Sequence, residues 1–317
     1  MSARYKHVLV TGGAGFIGSR VVRALLKKAD KITIIDDLST GSYSEVPNDP
    51  NVTFLEDTIL NEQLLESILP DIDIVFHIAC RNLVLSVTDM RQDFEVNLRG
   101  AYTLLEQIRK HGKQVKRFVY TSTASVYGDA DQIPTPLGEV KIRMPYAASK
   151  YGAEQYAHVF HSLHQLPVTI LRLSNVYGPG QVATNPYCGV VAKFFEARMA
   201  GLPMTIYGDG SQTRDFTYID DAVHVILLAA EREAAIGETL NVATGIETSV
   251  LALSTEIGRV FGDAHVNQQF ATKRTVDTIN RRCLDINKTR EILHWEPAFT
   301  LEEGIKQTHD WIMGGQK

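Results

Sequence analysis

The chain has 317 residues, 44% hydrophobic and 22% charged, enough to bury one large core or two modest ones and too apolar for disorder. A net charge of -5 and a pI near 6.1 leave no basic field to hold nucleic acid or an anionic membrane, so an anionic ligand must be met by local cations. No apolar run is long enough to span a bilayer and no N-terminal signal region stands out, which points to a cytoplasmic protein. Cys80, Cys188 and Cys283 are widely spaced, and neither a disulfide nor a metal site is expected.

In chain order, an apolar run from His7 to Thr11 leads through Gly12-Gly13-Ala14-Gly15-Phe16-Ile17-Gly18 into a helical pattern over Phe16–Leu26. Further strands are predicted at Lys31–Ile35, Val52–Leu55, Asp73–Ile78, Arg117–Thr121 and Val168–Leu173, with long helices over Met90–His111 and Tyr146–His164. Alternating β and α with short connections predicts an α/β fold, a Rossmann-type doubly wound parallel sheet covered on both faces. Ser174–Pro186 reads as a loop. Beyond it the pattern becomes a mixture of short strands and helices, over Gly189–Ala200, Met204–Tyr207, Asp221–Glu231, Thr239–Val242, Val250–Phe261, Asn287–Leu293 and Leu301–Met313. A boundary is therefore expected near 175, dividing a dinucleotide domain (1–175) from a smaller mixed α/β substrate domain (176–317), with some chain crossing back.

Glycines suit the close approach of backbone to a pyrophosphate, and a helix starting at Phe16 would offer its N-terminal NH groups and positive dipole to the phosphates. Asp36 follows Gly18 at the end of the second strand, where a carboxylate accepts hydrogen bonds from ribose hydroxyls and repels a 2′-phosphate. NAD is thus expected over NADP. Tyr146 and Lys150, four apart on one helical face, form the other constellation: an ammonium near a phenol favours its ionised form and makes a base of it. Thr123 follows a buried strand in a Ser/Thr-rich loop, where strand ends meet a ligand cleft.

With Thr11–Gly18, Asp36, His77-Ile78-Ala79-Cys80, Tyr120–Gly128, Tyr146–Lys150 and Ile206–Asp221 in hand, the chain resembles the extended short-chain dehydrogenases/reductases. More closely, it resembles the NAD-dependent nucleotide-sugar epimerase/dehydratase family, over nearly its whole length. The resemblance implies Tyr146 as catalytic base, Lys150 on the nicotinamide ribose and Thr123 bridging substrate and Tyr146. It also implies cofactor contacts from Gly12, Gly15, Phe16, Ile17, Gly18, Asp36, Asp37, Asp57, Thr58, Ala79, Asn97 and Thr121. The implied reaction removes a proton from a sugar 4-hydroxyl while hydride leaves C4 for NAD, giving a transient 4-keto sugar.

Departures from the family pattern narrow the reaction. Dehydratases of the family carry Asp-Glu just after the catalytic Thr and decarboxylases usually a Glu, whereas this chain has Ala124 and Ser125. C4 epimerisation of a UDP-sugar is the leading reading. A dehydratase, decarboxylase or reductase, and a non-catalytic NAD sensor, are the alternatives. For the nucleotide end the resemblance implies Asn175 and Arg214 on the diphosphate, Arg274 and Asp277 on phosphate and ribose, and Tyr207 at the base. Arg214 alone could equally pair with Asp215 or Asp220. At the sugar, Ser86 is an expected contact, and Arg282 or Arg281 falls where acceptors of N-acetylhexosamines have a small residue; a cation there would restrict N-acetyl groups or greet a carboxylate. Against a uronate, Gly180 stands where some uronate epimerases carry Arg. The two long helices resemble those that pair as a four-helix bundle in family homodimers, although Tyr102, Leu105 and Ile108 fit core burial equally well.

Overall fold

The computed structural model describes residues 5–181, 189–263, 265–273 and 279–315. Its strands in chain order are β1 (Tyr5–Thr11), β2 (Ala29–Asp36), β3 (Val52–Glu56), β4 (Ile74–His77), β5 (Arg117–Thr123), β6 (Val168–Leu173), β7 (Asn175–Tyr177), β8 (Met204–Tyr207), β9 (Thr213–Arg214), β10 (Phe216–Tyr218), β11 (Thr239–Val242), β12 (Thr248–Ser249) and β13 (Gln268–Ala271). Seven of them form one parallel sheet in the order β11-β6-β5-β4-β1-β2-β3. The side-chain period of a strand divides the core between the two faces: Val8 and Val10 enter one apolar cluster and Leu9 the other. Burial on both sides explains why these strands read as continuous apolar runs.

The helices are α1 (Phe16–Leu25), α2 (Glu62–Ile68), α3 (Leu83–Thr88), α4 (Met90–Asp93), α5 (Gly100–His111), α6 (Pro145–His164), α7 (Val190–Met199), α8 (Ile219–Glu231), α9 (Val250–Val260), α10 (Asn287–Leu293) and α11 (Leu301–Gly314). α1 and α8 pack together on one face of the sheet; α2, α5 and α6 cover the other. The chain reverses direction across the sheet between β1 and β4, so the connections leaving their C-terminal ends part and leave a crevice. Most of the glycine turn opens into it.

Chain from beyond residue 175 returns to the sheet: α8 packs on it, and β11 pairs β6 from Thr239↔Ile170 to Val242↔Leu173. Two features differ from the sequence expectation. The helix expected over 90–111 is interrupted by a π-helical turn at Phe94–Arg99, next to Gly100, where a Cβ would stand 2.5 Å from Ile59 Cδ1. A wide turn of this kind redirects the side chains it carries, here Asn97. α3 was not anticipated; Asn82 caps it, its Oδ1 accepting from the Val84 and Leu85 amides at 3.1 Å.

Beyond the sheet lies a smaller lobe. It pairs β7 with β10, β8 with β13 and β9 with β12, and packs α9 against α7 and α11.

Candidate active site

The glycine turn is held by sterics. Gly12 has φ +73° and a Cβ there would lie 2.6 Å from the Ala79 amide nitrogen; at Gly18 it would lie 2.0 Å from the Gly12 carbonyl oxygen. No side chain could occupy either place, so the turn stays tight against the end of β4. Gly15 caps α1 with extended backbone and no side-chain cap, leaving the helix N-terminus open to a ligand. Thr11 ties the turn down from below: its hydroxyl meets His77 Nδ1 at 2.7 Å and accepts from the Ala79 amide at 3.3 Å.

A cleft of about 410 Å³ runs along this edge. Gly12, Gly15, Phe16, Ile17, Gly18, Asp36, Asp37, Asp57, Thr58, Ala79, Thr121, Thr123 and Tyr146 all line it. Asp36 ends β2, and its carboxylate accepts from the Ala14 and Leu38 amides at 2.9 Å each, an orientation that fixes it at the cleft wall. Burial raises its pKa, while the two amides pull it back down. Asp57 turns inward to its own loop, accepting from the Thr58 amide at 2.7 Å and from Asn61 Nδ2 at 2.9 Å.

At the far end of the cleft, Thr123 closes β5 and its oxygen accepts from the Ser125 amide at 3.1 Å. Burial, with Cys80 close by, pushes the Tyr146 pKa well above its ordinary value, and the Thr123 hydroxyl opposes this by favouring the phenolate. Lys150, one turn along α6, is 1% exposed and lies behind the cleft rather than on its wall, with Nζ 4.3 Å above the Tyr120 ring. Burial lowers its pKa; Cys80, Glu154 and Asp93 oppose that. The other face of Tyr120 stacks on His77 at 5.4 Å. Burial and the Lys150 charge pull His77 down to about 3, so the imidazole is neutral at physiological pH.

Asn97 and Ser86, like Lys150, stand off the cleft wall. Asn97 is buried and spends its amide on the loop after β4: Oδ1 accepts from the Arg81 amide at 2.7 Å, and Nδ2 donates to Arg81 O and Asp93 Oδ1 at 2.9 and 2.7 Å. It shapes the cleft from behind. Ser86, expected at the sugar, sits on the buried face of α3, fully enclosed, and donates to the Leu83 carbonyl at 2.6 Å. Cys80, Arg81, Asn82, Gln92 and the Ser39–Ser42 loop also line the cleft without having been singled out as contacts; their only sequence signal is that they follow strand C-termini.

A side pocket of about 220 Å³ meets the cleft at Thr123, Leu173 and Ser174. Ala124, Ser125, Asn175, Arg143, Arg214 and Arg282 are on its wall. Arg214 donates from Nη1 to the carbonyls of Thr213 and Ile279 at 2.6 and 3.2 Å. Asp215, one possible partner for it, is instead fully buried and accepts from Thr244, Gly245 and Leu284. Tyr207 ends β8 outside both cavities. Arg274 and Asp277 lie outside the described residues, as does Cys188. Among the described residues, no group of three His, Cys, Asp or Glu side chains could hold a metal, and no helix is long and apolar enough to cross a membrane.

The model of the NAD dependent epimerase/dehydratase family matches residues 8–243, from β1 through β11. The chain belongs to that family. UDP-glucose 4-epimerase of Mycolicibacterium smegmatis is 37% identical over 315 residues, covering 96% of this chain and 97% of the relative. Among solved structures, UDP-glucose 4-epimerase of Thermotoga maritima with UDP-glucose superposes with a TM-score of 0.92 at 35% identity, covering 98% of this chain and 100% of the other. DesIV, a dTDP-glucose 4,6-dehydratase of Streptomyces venezuelae crystallised with NAD and TYD, gives 0.90 at 29% identity, with 98% of each chain covered. The family is enzymatic and its cofactor is NAD. The cleft fits that cofactor: side chains are excluded at Gly12 and Gly18, the α1 N-terminus is uncapped, and a carboxylate is fixed at the end of β2.

Proposed function

We propose that the chain is an isomerase that inverts C4 of a UDP-sugar, with NAD in the cleft and the sugar at its junction with the side pocket. One observation carries this reading: Thr123 stands at that junction with Tyr146 on the cleft wall, and the next two residues, Ala124 and Ser125, bring no carboxyl group. Among the described residues no Asp or Glu lines the side pocket. Elimination of water needs a further acid and base beside the sugar, and none is supplied there.

NAD, when bound, supplies reversible oxidation at C4 by taking up and returning hydride. The chain does the rest. Tyr146 removes the proton of the 4-hydroxyl and restores it; Thr123 holds that hydroxyl and the phenol in line. Lys150 would hold the nicotinamide ribose, and its positive charge favours the phenolate. Asp36 would accept from the adenosine ribose hydroxyls, and the α1 N-terminus would hold the cofactor pyrophosphate. Asn175 and Arg214 meet the substrate diphosphate, with Arg274 and Asp277 implied beside them. On this reading residues 1–175 bind the cofactor and 176–317 the nucleotide sugar, except that α8 and β11 serve the sheet.

The deciding measurement incubates the protein with UDP-glucose, UDP-galactose, their N-acetyl forms, UDP-glucuronate and UDP-xylose, read by mass spectrometry and proton NMR. The expected product is the C4 epimer at unchanged mass. Loss of water or carbon dioxide would make the protein a lyase, and NAD binding with no turnover of any sugar would leave a sensor.

We also propose a homodimer through α5 and α6. Leu105 and Ile108 are core, but Tyr102, Tyr156, Val159 and Leu163 are exposed, Tyr102 packing edge-on against Tyr156 at 5.2 Å. An apolar stripe of that kind supports helix pairing between copies, and a monomeric mass in solution would refute it. A cytoplasmic setting is supported by Cys80 and Cys283 being free thiols, with cell fractionation as the check.

A further inference from the structure

The side pocket carries more positive charge than a diphosphate at Arg214 uses. Arg143, Arg214 and Arg282 line it together, and none of its described lining residues is acidic. Arg282 is the one enclosed: it is 9% exposed and, among the described residues, its Nε has no hydrogen-bond partner and its Nη2 reaches only the Gly128 carbonyl, at 3.4 Å. The adjacent Arg281 has the opposite surroundings, exposed and paired with Glu247 at 2.8 and 2.6 Å. The acid whose field reaches Arg282 is Asp129, and that carboxylate is occupied by the amide and side chain of Asn280, each at 2.9 Å. Burial and the Arg214 charge pull Arg282 down to about 9, so it is still cationic at neutral pH. A guanidinium closed off from water with donors unspent is incomplete until an anion arrives.

Where that anion sits follows from the turn that Arg282 touches. Gly128 ends the segment that begins at Thr123, so Arg282 stands on the catalytic side of the pocket, while Arg214 reaches the Thr213 and Ile279 carbonyls. A hexose whose C4 hydroxyl is at Thr123 and Tyr146 carries its C6 group on the next ring carbon. A neutral hydroxymethyl there leaves the guanidinium unpaired; a carboxylate can take two parallel N–H bonds from it.

We propose that Arg282 is a specificity-determining residue that pairs with a carboxylate on the sugar, making nucleotide uronates, rather than neutral hexoses, the substrate class. This rests on the 4-epimerase reading for the placement of C4.

The test compares UDP-glucuronate with UDP-glucose on the NAD-loaded protein. It measures affinity by calorimetry and kcat/KM with the product identified by mass and NMR, for the wild type, Arg282→Gln and Arg282→Lys. The expected wild-type preference for the uronate is roughly 100-fold or more, since a site built for a polar partner rejects the analogue lacking it. In Arg282→Gln the ratio collapses through loss on the uronate, and Arg282→Lys keeps part of it. Equal wild-type affinity for both sugars, or an equal loss on both in Arg282→Gln, would overturn the assignment, the latter marking a diphosphate contact or a structural role. Should the Gln variant fail to fold, the wild-type ratio and the Lys variant still decide. Release of carbon dioxide from UDP-glucuronate would retain Arg282 and remove the epimerase, whereas epimerisation of UDP-glucose with no preference for the uronate would do the reverse.

Discussion

Tyr146→Phe is expected to lower kcat by about 10³-fold, within the usual worth of a positioned acid–base group, with the fold intact. The substitution removes one oxygen from a ring that α6 holds at the cleft wall, so the loss reports on proton transfer rather than packing. Wild-type turnover would remove Tyr146 as the base. The pH profile supplies a second readout. The reactive form is the phenolate; burial raises its pKa and the Thr123 hydroxyl lowers it, so activity should climb as pH rises through that pKa. Thr123→Val deletes a hydroxyl that favours the charged form. Its rising limb should therefore move to higher pH, with turnover at neutral pH falling accordingly, and a limb that stays in place would mean that Thr123 does not touch the base.

The parts of this site that were legible in the sequence are those that the backbone dictates. Gly12 and Gly18 leave no room for a side chain, Asp36 ends a strand in register with Glu56, and Tyr146 and Lys150 are separated by one helical turn. Spacing along the chain encodes each of these. Contacts made across it were not legible. Nothing local announces that Asn97 reaches back to the Arg81 backbone, because Asn97 is carried on a π-helical turn that departs from the helical period. Ser86 was misplaced for a similar reason: the helix that buries it is only six residues long and gives too little periodicity to read. A short apolar run marks β11 as a strand without naming β6 as its partner, so the sequence does not say which segment crosses back. Arg281 and Arg282 could not be told apart by a match uncertain by one residue, yet one is ion-paired at the surface and the other walled into the side pocket.

Removing Glu154 should have the largest effect on stability. Glu154 is 0% exposed, one turn after Lys150 on α6, and both its oxygens are engaged by Arg172 of β6: Nε at 3.1 and 3.2 Å and Nη2 at 2.7 Å. Ser122, beside Thr123, also donates to it. Arg172 Nη1 continues to the Tyr127 hydroxyl at 3.0 Å and the Leu137 carbonyl at 2.9 Å, and Tyr127 passes the network on to Asn241 of β11. The pair thus joins α6, β5, β6 and β11 beneath the catalytic residues. Such a pair adds little over a well-packed apolar one, because desolvation offsets the attraction, but breaking it leaves a charge stranded in the interior. Glu154→Ala is accordingly expected to cost about 3–5 kcal/mol in denaturant unfolding, whereas Glu154→Leu combined with Arg172→Met should recover most of that loss. A single variant within about 0.5 kcal/mol of wild type would mean that water or another acid reaches Arg172. If the double variant is stable but slow, the network's contribution is to hold Ser122 and Thr123 in line with Tyr146. If it is both stable and fast, the pair acts on folding alone.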